Sequence, residues 1–69
     1  SIVKEQGEFK LVTLEIYSEK IKSTYDSYAI LRNNSVITGV NDRKSPDALK
    51  SIGVPTDIIN EYKRNRSDV

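Results

Sequence analysis

The chain has 69 residues, with 11 basic and 10 acidic side chains for a net charge of +1, and it contains neither cysteine nor histidine. One small domain follows, spanning residues 1–69, without disulfide staples, thiolate or imidazole metal sites, or the usual nucleophile-base pairs. The near-neutral balance supplies no strong field for nucleic acid or an acidic membrane, and no apolar run approaches a membrane span. We therefore expect a non-enzymatic protein with no cofactor and no metal, soluble as given, with a cytoplasmic location favoured.

Residues 1–6 are expected to fray. From residue 8 to residue 38 there is neither glycine nor proline, an unusual distance for a small protein to run without a strong breaker. Within it Leu11, Leu14, Tyr17, Ile21, Tyr25, Tyr28 and Leu31 follow one another at intervals of 3, 3, 4, 4, 3 and 3. That spacing predicts one face of an amphipathic helix over about residues 8–32. Asn33 and Asn34 would end it, because asparagine tolerates the left-handed conformation.

A competing reading is available for the same segment. Val12, Thr13, Ile16, Tyr17, Thr24, Tyr25, Tyr28 and Ile30 all favour strands. Residues 28–40 would then form a hairpin turning on Asn33-Asn34, packed on the C-terminal part of the chain in an α+β arrangement. The helix is preferred because its spacing holds over six intervals and because no turn signal separates Tyr17 from Tyr28. The expected fold class is accordingly mainly α. Residues 36–40 could be a short strand or one turn of helix ending at Gly39.

Residues 41–44 form a polar linker, and the stretch after them carries its own boundaries. Ser45-Pro46-Asp47 is a helix start, since serine caps free amides and proline tolerates the first helical position. Gly53 stops that helix, giving a span of about 46–52. Thr56 and Asp57 open a second helix over about 56–65, closed by Lys63, Arg64 and Arg66 near its negative dipole end. Residues 66–69 should fray.

The two short helices around Gly53-Val54-Pro55 resemble the helix-turn-helix family, in which an apolar residue follows the turn glycine and another lies six residues after it. Val54 and Ile59 fill those places, whereas the small residue expected four before the glycine is replaced by Leu49. The resemblance implies duplex-DNA binding with Thr56, Asn60, Lys63, Arg64 and Arg66 as contacts. Asp57 and Glu61 would place two carboxylates on the same face, near phosphates. A structural reading accounts for the same residues, with Leu49, Ile52, Ile58, Ile59 and Tyr62 covering the long helix. A helix followed by Gly53-Val-Pro-Thr-Asp-Ile58 also looks somewhat like the region after the stalk helix of type IVb pilins. That likeness implies a fragment of a filament subunit, whose large sheet 69 residues cannot supply.

A helix of 25 residues would be about 37 Å long, and the two short ones total roughly 25 Å. Part of the stripe would stay uncovered, and three tyrosines on it suit a contact surface. The functional expectation is a protein-binding module, such as an adaptor, inhibitor or regulatory subunit. Its contacts would be Leu14, Tyr17, Ile21, Tyr25 and Tyr28 on a helical face, and its partner another protein or a second copy of itself. DNA regulation is the alternative.

Overall fold

The computed structural model describes residues 1–39 and 42–66, with side chains through Arg64. It corrects the mainly helical expectation, because residues 8–32 form two long strands instead of one helix. Strands β1 (Ile2–Gln6), β2 (Phe9–Ser18), β3 (Ser23–Arg32) and β4 (Ser35–Thr38) precede helices α1 (Pro46–Ile52) and α2 (Thr56–Arg66). The sheet is an antiparallel meander in the order β1-β2-β3-β4. Residues 2–6, expected to fray, are therefore its first edge strand. Val40, Asn41 and the tail from residue 67 lie outside the described residues, as do the side chains of Asn65 and Arg66.

The helical spacing misleads for a physical reason. Strand neighbours alternate between faces, and here both faces carry apolar side chains. The register pairs Leu11 with Ile30 and Thr13 with Tyr28 on one face, and Val12 with Ala29 and Ile16 with Tyr25 on the other. The supposed stripe is thus divided, with Leu11, Tyr17 and Tyr28 on the first face and Leu14, Tyr25 and Leu31 on the second. The reversal between β2 and β3 uses residues 19–22, and its left-handed residue is Lys22 at φ 53°. With no glycine there, composition does not announce a turn.

The other two reversals use more familiar chemistry. Asn33 and Asn34 both have positive φ, 49° and 69°, as a two-residue hairpin turn of the primed kind requires. Gly7, at φ 63°, turns β1 into β2. These two turns lie at the same end of the sheet and are tied together. The Asn33 amide donates to the Glu8 carbonyl at 3.0 Å, its side-chain amide donates to the Glu8 carboxylate at 3.0 Å, and Arg32 pairs with Glu8 at 3.3 Å. The Arg32 guanidinium also stands 5.6 Å from the centre of the Phe9 ring, within cation–π range.

The capping chemistry of the C-terminal region forms locally. Ser45 Oγ accepts from the Ala48 amide at 3.2 Å, with Pro46 in the first turn and Gly53 at φ 108° donating back to the Leu49 and Lys50 carbonyls. The Pro55 carbonyl accepts from the amides of Ile58 and Ile59 and starts α2. These helices cover a sheet, not a long helix. Leu49, Val54, Ile58, Ile59 and Tyr62 pack with Phe9, Leu11 and Ile30 into one buried cluster, flanked by Tyr28, Ile37 and Ile52. Leu49 is fully buried there.

Thr38 secures the passage from sheet to helices. Its side chain is fully buried, donates to the Asp42 carbonyl at 3.1 Å, accepts from the Lys44 amide at 2.9 Å and lies 3.4 Å from the Tyr62 hydroxyl. Replacing it by valine keeps the shape and strands the Lys44 amide. We expect Thr38→Val to cost about 1–3 kcal/mol in urea unfolding, and Tyr62→Phe to cost less because its contact is long. A neutral Thr38→Val would show that the linker is held by something else.

Candidate protein-binding face

The two helices lie on one side of the sheet, so the other side has no cover among the described residues. Alternation puts Lys10, Val12, Leu14 and Ile16 of β2 there, with Leu31, Ala29, Ser27 and Tyr25 opposite them on β3. Ile2 joins from β1 through its pairing with Val12, and Val36 from β4 through its pairing with Leu31. Ile2, Leu14, Tyr25 and Val36 are 57%, 43%, 40% and 63% exposed. A contiguous apolar patch of this kind is uncommon on a monomer, which makes the face a candidate contact surface.

The surface has relief. Ala29 is only 1% exposed, because short side chains sit low between taller neighbours. Leu14 and Ile16 on one side and Val36 and Ile37 on the other enclose an open groove of about 540 Å³ over Ala29 and Gly39, with Asp42 at its rim. A side chain at residue 39 would stand 3.5 Å from both Ala29 Cβ and Val36 Cγ1 and would project into that groove. Asp42 is bound to Lys44 at 2.7 Å.

β2 and β3 also outrun the rest of the sheet. β1 pairs with β2 only as far as Val12, with Ser1 reaching Thr13, and β4 pairs with β3 only from Ile30 to Arg32. Residues 14–27 therefore form a two-stranded arm that no buried cluster residue reaches. Its two faces differ in charge. Along the arm, Leu14, Ile16 and Ser18, with Ser23, Tyr25 and Ser27 opposite, put no carboxylate or cation on the open face, whose charges stand at its base, where Lys10 meets Glu5. The reverse face sets Glu15 directly opposite Asp26, a like-charge cross-strand pair that weakens the ladder.

The five contact residues expected from the sequence are thereby separated. Leu14 and Tyr25 lie on the open face, Tyr17 on the reverse face at 58% exposure, and Ile21 in the terminal turn at 61%. Tyr28 packs against the buried cluster. Helical spacing passed over Val12, Ile16, Ala29 and Val36. A two-residue period through Val12-Leu14-Ile16 and Tyr25-Ser27-Ala29-Leu31 would have found three of them.

The residues proposed for DNA are exposed together. Thr56, Asn60, Lys63 and Arg64 follow one side of α2, while the Arg66 side chain lies outside the described residues. Arg64 is bound to Glu61 at 3.1 Å. Among the described residues no helix is long and apolar enough to cross a membrane. No family model, curated protein or solved structure matches the chain.

The Glu15–Asp26 repulsion is open to measurement. Glu15→Lys converts it to an opposite-charge pair and should raise the melting temperature by about 1–3 °C at low salt, with the gain shrinking as salt rises. An unchanged or lower melting temperature would mean that the two carboxylates do not oppose each other in solution.

Proposed function

We propose that this chain is a small non-enzymatic protein-binding module whose contact surface is the open face of its sheet, centred on the β2–β3 arm. The observation that carries this reading is the one-sidedness of the sheet, whose second apolar face has neither helix nor strand over it among the described residues. A sheet face replaces the helical one expected from the sequence, and Leu14 and Tyr25 remain on the surface. Tyrosine and branched aliphatic side chains without charge are the composition of an interface centre. The absence of histidine and cysteine and the apolar lining of the groove support a binding role over a chemical one. An adaptor, inhibitor or regulatory subunit would use such a surface.

A photo-crosslinking side chain placed at Tyr25, and separately at Lys50 on the exposed side of α1, tests the surface in extracts of the source cells. We expect protein adducts several-fold more abundant from residue 25 than from residue 50. Equal yields from the two positions, or none from residue 25, would remove the open face as the contact surface.

Duplex-DNA binding through α2 is a second reading, supported by the exposure of Thr56, Asn60, Lys63 and Arg64 on one side of that helix. The Arg64–Glu61 pair and the nearby Asp57 compete with phosphate for those cations. The expected outcome is no duplex binding at low salt. Salt-sensitive binding that Arg64→Ala weakens would reverse the preference.

A further inference from the structure

We infer that the edge of β3 at Thr24 and Asp26 receives an extended segment of another protein, added antiparallel as a further strand, with a lysine or arginine placed opposite Asp26. The contact lies at the edge of the arm, so it goes beyond the open-face reading and does not depend on it.

The register shows which backbone groups are available. The Thr13 amide donates to the Ser1 carbonyl at 2.8 Å and the Ser1 amine donates to the Thr13 carbonyl at 3.2 Å, so the backbone groups of Thr13 face β1. Successive residues of an antiparallel strand turn these groups to opposite edges, and Leu14 and Ile16 therefore direct theirs to β3, where they meet Ser27 and Tyr25. Asp26 and Thr24 alternate with those two and turn their N–H and C=O groups away from β2. β4 pairs with β3 only from Ile30 to Arg32, and among the described residues no strand lies beside Thr24 or Asp26. The Thr24 carbonyl is approached by the Ser23 hydroxyl at 3.5 Å, longer than a good O–H···O bond and easily displaced. Such an edge is a template for an added strand.

Charge specifies what that strand carries. Glu15 and Asp26 stand opposite each other across the β2–β3 ladder, and both are exposed. Glu5, Glu8, Asp42 and Glu61 each pair with a lysine or arginine, whereas among the described residues neither Glu15 nor Asp26 does. The repulsion between them is left standing in the free chain. A residue opposite Asp26 on an added strand shares that face of the sheet, with its Cβ about 5 Å from that of Asp26. Glu15 lies one strand further, about 10 Å away, so a long basic side chain laid across Asp26 approaches both carboxylates. Its two neighbours in the added strand fall on the other face, beside Tyr25 and Ser27, where the arm is uncharged. The recognised pattern is thus apolar, basic, apolar, and an acidic residue at its centre would set three carboxylates in a row.

Three blocked peptides test this: Thr-Val-Lys-Val-Thr, its counterpart with glutamate at the centre, and a version with the central lysine amide N-methylated, which keeps the charge and removes the backbone donor. Each is titrated into the isotopically labelled protein to about 5 mM, a range that spans millimolar affinity. The lysine peptide should shift the Thr24 and Asp26 amide resonances in a saturable way. The glutamate and N-methyl peptides should bind about tenfold more weakly or worse. Asp26→Asn should weaken the lysine peptide about threefold with an unchanged circular dichroism spectrum.

No shift at Thr24 and Asp26 over this range overturns the inference. Equal binding of the lysine and glutamate peptides overturns it too, as does equal binding of the N-methyl peptide, which would be charge attraction without strand pairing. Shifts confined to Leu14, Ala29 and Val36 would overturn the edge site while leaving the open face as a contact surface. Saturable shifts at Thr24 and Asp26 with no adducts from the residue-25 photo-probe would keep the edge site and remove the open face.

Discussion

Apolar burial against Leu11 and Ile30 is the interaction on which the rest of this structure depends. Both side chains lie at the centre of the meander and are completely buried, and the cover over them comes from Leu49, Ile58, Ile59 and Tyr62. Two helices of 7 and 11 residues are enough for one face of the four-stranded region and for nothing more. A chain this short has little other apolar material to spend on the second face. The exposed face is therefore a consequence of where the helices fall, and the proposed contact surface follows from the same packing that stabilises the domain.

The arm follows from the unequal lengths of the strands. β2 and β3 have ten residues each, while β1 has five and β4 four, so the central hairpin projects past both neighbours with no strand beside its edges among the described residues. Exposed strand edges and an apolar face would ordinarily invite indiscriminate association. Here the reverse face sets Glu15 opposite Asp26, while the open face carries small residues in a groove and larger ones beside it. The two sides of the arm thus differ in charge, with carboxylates on one and none on the other.

The parts that were legible in the sequence are those set by neighbours in the chain. Ser45, Pro46 and Gly53 act within a few residues of themselves, and their capping hydrogen bonds form as local stereochemistry dictates. Asn33-Asn34 is legible as a break for the same reason, although the preferred reading made it the end of a helix and the hairpin turn was the rival. The β2–β3 reversal was not, because Lys22 adopts the left-handed conformation that composition associates with glycine or asparagine. Once that turn is missed, the apolar residues of two strand faces merge into an apparent helical stripe. Leu14 and Tyr25 were found within that stripe, whereas Ile16, Ala29 and Val36 needed the strand period and the register to bring them together.

By itself the sequence determined the two short helices, a break at Asn33-Asn34 and the lack of histidine and cysteine chemistry. Only the tertiary structure decided that residues 8–32 pair as strands, because hydrogen bonding between segments far apart in the chain outweighs a local periodicity that either conformation could satisfy. It also decided which apolar residues are core and which stay exposed. That choice rests on the side of the sheet where α1 and α2 pack, and no spacing within either strand encodes it.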